Sequence, residues 1–262
     1  MESVRQPNVA GLFYPSDPSV LAANVKNLLD AAPNKQVPAP KAIIAPHAGY
    51  IYSGPIAASI YKTLLPHKDT IKRVVLLGPA HRVGFLGIAV TQVENFATPL
   101  GLVPVDAPSI ASVVTLPGVK VFEHAYDMEH CLEVQLPFLQ TILSDFSLVP
   151  CVVGDANPAD VANLLQHLWG GPETLIVISS DLSHYYDYAT AQKLDQATTQ
   201  AILNLDPNAI ADNQACGRLP VKGLLLAASN MNLHAQVLDL RNSGDTAGDK
   251  SRVVGYGAYH FI

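Results

Sequence analysis

Short apolar runs alternate with longer amphipathic segments along most of the chain. Apolar runs bounded by turn residues are typical of buried strands, and positions repeating every three to four residues are typical of helices. The predicted strands are 42–45, 73–77, 85–91, 102–105, 148–153, 174–179, 234–240 and 253–260. The predicted helices are 20–29, 55–65, 129–143, 158–169, 187–204, 206–213 and 219–230.

Two local signals refine this pattern. Asp17 before Pro18 predicts a helix N-cap followed by proline at the first helical position. Pro137 should bend the segment 129–143, on which Glu133 is expected to lie on a solvated face. Strands that alternate with helices predict an α/β fold with a mostly parallel central sheet and helices on both faces. We expect a single domain over residues 1–262.

Composition narrows the class of protein. The chain is 49% hydrophobic and 15% charged, with a net charge of −6 and no basic run. Nucleic-acid binding and attachment to an anionic membrane surface are therefore not expected. The three cysteines predict reduced thiols in the cytoplasm, because their number is odd and their spacing wide. We expect neither a signal peptide nor a membrane span.

Histidines follow three of the predicted strands. His47 comes after IIAP, His81 after VVLLGPA, and His184 after LIVISSDLS. The ligand crevice of an open parallel sheet lies at the carboxyl ends of its strands. We therefore expect these three imidazoles to converge, although a lone histidine is more often an ordinary loop or core residue.

Carboxylates accompany these histidines. Asp181 lies three residues before His184, Asp127 and Glu129 lie in DMEHCLE beside His130, and the glycine-containing loop NSGDTAGDKS carries two more, Asp245 and Asp249. Two neutral imidazoles and one carboxylate form the arrangement that suits non-haem Fe(II). A remaining histidine could move protons. The alternative to a role in the site, for Glu129, Glu133 and Asp249, is that they cap a helix or lie on a solvated helix face.

Other residues near these segments have two interpretations. Tyr50, Tyr52 and Tyr185 could stack on a ring or a peptide side chain, or could be ordinary packing at a sheet edge. Cys216 precedes a predicted helix whose N-terminus could lower the thiol pKa, or it is a small packed residue. The motifs of serine hydrolases, dinucleotide-binding folds, nucleoside-triphosphate-binding loops and HExxH zinc proteases do not occur in the sequence.

Several motifs together make the chain resemble the Memo-like family, the second component (protein B) of the AmmeMemoRadiSam system. They are VAGLFYP, APHAGYIYSGPIAA, LLGPAHR, DMEHCLEVQLPFL, ISSDLSHY, ACGRLPVKGLLLAA and SGDTAGDKSRVVGYGAY, and they cover nearly the whole sequence. This family resembles the class III extradiol dioxygenases in fold. The resemblance implies an α/β sandwich with its pocket at one sheet edge.

The resemblance also implies residue roles. His47 and His81 would be metal ligands, His184 the acid–base histidine, and Asp181 a group that orients a histidine. Some relatives have a cysteine before the last strand, where this chain has none, so Asp245 is predicted as the third ligand with Asp249 as the alternative. An oxygen-rich site favours Fe(II) over copper or another divalent metal. The remaining predicted contacts of a substrate are Tyr50, Tyr52, Tyr185, Asp127, His130 and Cys216.

Three functions are consistent with such a pocket. The first is a dioxygenase-like oxidoreductase that acts on a small aromatic or enediol substrate. The second is a non-catalytic component that binds a metal, a small ligand or a peptide; the resemblance implies AMMECR-type and radical SAM partner proteins. The third is a metal-assisted hydrolase.

Overall fold

A large sheet with helices on both faces forms the centre of the protein. The computed structural model describes residues 3–35 and 37–262. Its strands are β1 (Val4–Arg5), β2 (Ala42–Ala45), β3 (Arg73–Pro79), β4 (Ile88–Val90), β5 (Asn95–Thr98), β6 (Gly101–Pro104), β7 (Val119–Val121), β8 (Ser147–Val153), β9 (Thr174–Ser179), β10 (His184–Tyr186), β11 (Ala235–Asn242) and β12 (Val253–Phe261). Its α-helices are α1 (Pro18–Ala31), α2 (Tyr50–Tyr61), α3 (Ala107–Val113), α4 (Leu136–Ile142), α5 (Pro158–His167), α6 (Tyr188–Leu203) and α7 (Arg218–Asn230).

The strand order places the parallel strands in the middle. Across the described residues the large sheet has the order β10-β12-β2-β9-β3-β8-β4-β7, and β11 also pairs with β12. Strands β2, β9, β3 and β8 are parallel, whereas β12 joins β2 and β4 joins β8 antiparallel. Strands β1, β5 and β6 form a separate small sheet. The predicted α/β class with a helix-covered central sheet is confirmed, and antiparallel strands extend its parallel centre on both sides.

Strand β3 shows how the sheet separates two hydrophobic cores. Its residues alternate, so that Val74 and Leu76 belong to one core, while Val75 and Leu77 belong to the other. Successive side chains of a strand point to opposite faces, and all four are fully buried. This two-sided burial explains why the strand reads as one continuous apolar run.

Two predicted helices differ from the structure. Residues 206–213 contain only a 3₁₀ turn at Pro207–Ala209, which the Asp206 side chain caps by accepting from Asn208 N. The first half of 129–143 is also irregular, because the Glu129 carboxylate accepts the N–H groups of residues 130 and 131. Such side-chain bonds compete with the helical pattern. Helix α4 therefore starts only at Leu136.

Other element ends agree more closely. Asp17 caps α1 by accepting from Ser19 N and Val20 N, as its position before Pro18 predicts. Helix α2 begins at Tyr50 and includes Pro55, which was expected to begin it. Among the described residues, no helix is both long and apolar enough to cross a lipid bilayer.

Candidate metal centre and its cleft

Three neighbouring parallel strands deliver histidines to one sheet edge. Strand β9 lies between β2 and β3, so the carboxyl ends of all three strands meet. His47 follows β2 and His81 follows β3, and their ring centroids are 5.1 Å apart. Together with His184 they line one cleft of about 660 Å³. The structure thus brings the three imidazoles of the strand ends to a common cavity.

Hydrogen bonds fix the tautomer of His47. Its Nδ1 lies 2.9 Å from Ser179 Oγ, and Ser179 donates its only hydroxyl proton to Cys131 O at 2.6 Å. Ser179 can therefore only accept from the imidazole, which makes Nδ1 the protonated nitrogen. Gln135 Nε2 also donates to Ser179 Oγ, so this hydroxyl oxygen donates one hydrogen bond and accepts two. Nε2 of His47 is consequently unprotonated, and its lone pair faces the Cys216 thiol at 3.3 Å.

Glu129 orients His81 as Ser179 orients His47, with Nδ1 bonded within the protein. Its Oε1 lies 2.8 Å from His81 Nδ1, and its Oε2 accepts from His81 N at 2.6 Å. Burial opposes the ionisation of this carboxyl, but the hydrogen bonds and charge of His81 lower its pKa to about 2. The ionised carboxylate accepts from Nδ1–H, so in a neutral His81 the lone pair would be on Nε2. A carboxylate behind a metal-binding imidazole is a common arrangement around metals.

A thiol and another imidazole complete the group. Cys216 Sγ lies 3.3 Å from His47 Nε2, and ligand atoms of His47, His81 and Cys216 are all within 4.8 Å of one another. A second, overlapping group consists of His81, Glu129 and His130. The His130 ring stacks on that of His81 with centroids 4.8 Å apart. The centre therefore offers nitrogen and sulfur donors beside one carboxylate.

The protonation states suit metal binding. Burial, followed by the charge of His81, holds the pKa of His47 well below its ordinary value. Burial and the charge of His47 lower the pKa of His130 to about 4. Both imidazoles are thus neutral near pH 7, the form that binds metals. Burial, and then the charge of Asp181, raises the pKa of Cys216, so the thiol is protonated near pH 7; a bound metal would favour its thiolate form.

Buried acids support the segment that carries His184. Asp181 Oδ1 accepts from His47 N at 2.8 Å, and burial raises the pKa of Asp181 although the charge of His184 opposes this. Asp195 of α6 accepts from Ser183 N at 2.9 Å. A Cβ at Gly255 would lie 2.0 Å from the Asp195 carboxylate, which explains the glycine there. This packing fixes the backbone immediately before His184.

Asp195 makes stability depend on pH. Burial raises its pKa from 3.8 to about 6. The native protein thus holds this proton more tightly than the unfolded chain, so the stability that the protonated form provides is lost as pH rises from 3.8 to about 6. Relative to Asp195→Asn, the wild type should lose about 2 kcal/mol of unfolding free energy between pH 4.5 and 7.5. Urea unfolding of both proteins at the two pH values measures this; a constant difference would contradict it.

The predicted third ligand lies elsewhere. Asp245 accepts from Tyr188 Oη at 2.5 Å and from Asn242 N at 2.9 Å, so it closes the turn after β11. It belongs to neither candidate metal group among the described residues. The alternative, Asp249, does line the cleft, where it accepts from Ser251 N. The structure thus does not bring Asp245 together with His47 and His81.

The predicted substrate contacts divide into two sets. Tyr52, Tyr185 and His130 line the cleft. Tyr50 is buried in a core and donates its hydroxyl to Val134 O, and Asp127 is bonded to the exposed His124. Cys216 does not line the cleft but lies with its Sγ 3.3 Å from His47 Nε2.

Two features of the site were not predicted. Ser179 had no motif beyond its place at the end of an apolar strand. Glu133 was expected on a solvated face, but it is buried and accepts the N–H groups of Asn8 and Val9 and the Tyr14 hydroxyl. It thereby ties the N-terminal segment to the cleft, whose wall includes Phe13. Its buried position follows from the break of the helix before α4.

Fold and site define an α/β protein with a cluster of imidazoles at the carboxyl edge of its parallel strands. The sequence profile described as Memo-like protein matches residues 5–260. The chain belongs to the Memo-like family.

Relatives agree over almost the full length. A MEMO1 family protein of Aquifex aeolicus is 38% identical, with 97% of each chain covered. One of Nitrosopumilus maritimus is 33% identical over 99% of this chain and 100% of its own. Among solved structures, an uncharacterized protein of Escherichia coli K12 gives a TM-score of 0.48 at 15% identity, covering 83% of this chain and 98% of its own.

Proposed function

We propose that this protein holds one transition-metal ion between His47 and His81 and uses it on a small substrate in the adjoining cleft. The proposal rests on one observation: hydrogen bonds fix the orientation of both imidazole rings. Each has its Nδ1–H bonded within the protein, to Ser179 or to Glu129. In the neutral form each imidazole would therefore have its lone pair on Nε2, and Cys216 Sγ lies in the same group of ligand atoms.

The donor set determines which metals suit the centre. Fe(II) was favoured for a site with a carboxylate as third ligand, and Asp245 is not placed for that role. A set of two imidazoles and one thiolate suits copper and zinc as well as iron, because sulfur is a softer donor than oxygen. We therefore propose a single transition metal, with iron, copper and zinc as the metals to compare.

The reaction proposed is dioxygenase-like oxidation of a small aromatic or enediol compound. A bound metal would supply a positive centre for two adjacent substrate oxygens. His184 is proposed to take the substrate proton, and Asp181, whose carboxylate accepts from His47 N, to hold the two histidine segments together. Hydrolysis and partner binding, including the partnership with AMMECR-type and radical SAM proteins, stay predictions. We also propose a cytoplasmic location, which the three free cysteines support.

Elemental analysis after anaerobic loading with each metal tests the centre. Wild-type protein should hold about one equivalent, and His47→Ala or His81→Ala should bind at least about tenfold more weakly. Cys216→Ser should weaken copper and zinc more than iron. His124→Ala is the matched control, because its side chain is 79% exposed and outside the cluster. Equal metal content in all variants would refute the metal centre. The proposed reaction is tested separately, by measuring oxygen uptake of the iron-loaded wild-type protein with catechols.

A further inference from the structure

The arginines of the chain fall into two groups. Four of the six pair with a carboxylate, and these are Arg5, Arg73, Arg218 and Arg241. The other two, Arg82 and Arg252, have no carboxylate within 4.0 Å among the described residues, and both line the cleft beside the histidines. In a protein with a net charge of −6, the two unpaired guanidinium groups thus lie at the one cavity that contains the candidate metal centre.

An aromatic ring positions Arg252, and a fixed backbone segment precedes Arg82. The Arg252 guanidinium lies over the Tyr185 ring at 4.8 Å from its centroid. Stacking on an aromatic face leaves the N–H groups at the edge of the guanidinium available. Arg82 directly follows His81, whose backbone N–H is fixed by Glu129. Two N–H groups at the edge of one guanidinium match the planar geometry of a carboxylate.

Apolar side chains surround the same opening. Leu12 is 79% exposed, Ile51 68% and Tyr52 39%, and all three line the cleft. Exposed apolar groups gathered at one cavity mark a binding site for a molecule that covers them. The volume of about 660 Å³ matches small-molecule sites. The cleft therefore combines an apolar rim with two free cations.

The cleft also contains two acids. Asp181 is buried and accepts from His47 N, and Asp249 accepts from Ser251 N. Neither lies within ion-pair distance of Arg82 or Arg252 in the described part of the chain. The acids therefore leave both guanidinium groups without a neutralising partner.

From these observations we infer that the ligand of the cleft is a small aromatic acid. Its carboxylate binds Arg82 and Arg252, and its ring lies against the apolar rim formed by Leu12, Ile51 and Tyr52. The inference rests on the proposed function for the reacting side of the ring, which would face His47 and His81. Recognition of the acid itself needs no metal, because the two arginines supply the charge.

Calorimetric titration of chelator-treated, metal-depleted protein tests this inference. The probes are 4-hydroxybenzoate and its neutral isostere 4-hydroxybenzamide. Wild-type protein should bind the acid at least about tenfold more tightly than the amide, since charge-assisted bidentate contacts are strong. Arg82→Gln and Arg252→Gln should each weaken binding of the acid several-fold, and the double variant should bind both probes equally.

Lys193→Gln is the matched control. It removes the same charge from an exposed position of α6 outside the cleft, and should leave the preference unchanged. Equal binding of acid and amide by the wild type, no binding of either, or a preference that survives in the double variant would overturn the inference. Tighter binding of phenyl phosphate than of 4-hydroxybenzoate would overturn the carboxylate assignment. Metal content is measured separately, so failure of the metal centre is distinguishable from failure of acid recognition.

Discussion

Replacing Glu129 with leucine is expected to lower the free energy of unfolding by about 3–5 kcal/mol. The carboxylate accepts the backbone N–H groups of His81, His130 and Cys131 as well as His81 Nδ1. Leucine leaves these donors without an acceptor in a place where the glutamate side chain is only 2% exposed. The same change should weaken metal binding about 10–100-fold, because the His81 ring loses its anchor.

Urea unfolding and metal titration of the same preparations measure the two effects. Glu129→Gln should be intermediate, since an amide oxygen can still accept part of these bonds. Glu94→Leu is the control: Glu94 is exposed and accepts from Ser3 N, so its loss should cost less than about 1 kcal/mol. A Glu129→Leu protein with wild-type stability would show that water satisfies the donors.

Removing the Phe138 ring should be similarly costly, at about 3–5 kcal/mol. Phe138 of α4 is fully buried, stacks on Tyr61 with centroids 5.1 Å apart, and packs on Tyr50 at 5.0 Å. Alanine would leave a cavity between two large rings that hydrogen bonds hold in place, because Tyr50 donates to Val134 O and Tyr61 to Gln135 Oε1. The surroundings therefore cannot easily collapse.

Denaturant unfolding of Phe138→Ala tests this, with Phe138→Leu as a smaller truncation. Leu102→Ala serves as the exposed control, since Leu102 is 53% exposed. Metal binding should survive in Phe138→Ala, as the ring lies in the core and not in the cleft. A cost below about 1 kcal/mol would mean that the core repacks around the missing ring.

The sequence predicted the parts that depend on local pattern. Buried strands such as 42–45 and 174–179 were found with the same ends in the structure, because two-sided burial makes every residue apolar. The order of β2, β9 and β3 was not predicted, since strand order is a long-range property; only the convergence of the histidines after the strands was expected. The edge strand β10 was missed because its three residues, HYY, pair with β12 over too short a length to leave a pattern.

The site could be predicted less completely. His47 and His81 were recognisable from their positions after strands. Asp245 was chosen from its place in a loop, and loop geometry does not follow from composition; the loop closes on Tyr188 instead. The approach of Cys216 to His47 joins positions 169 residues apart, for which the sequence carries no periodic signal.

The segment between β11 and β12 has a separate consequence for the family. It contributes Ser243, Gly248, Asp249 and Arg252 to the cleft, whereas the imidazoles come from other parts of the chain. Mutations that accumulate in this stretch would alter what enters the cavity while the histidine cluster stays intact. The shape and charge of the cleft opening can thus vary among relatives without any change in the histidine cluster.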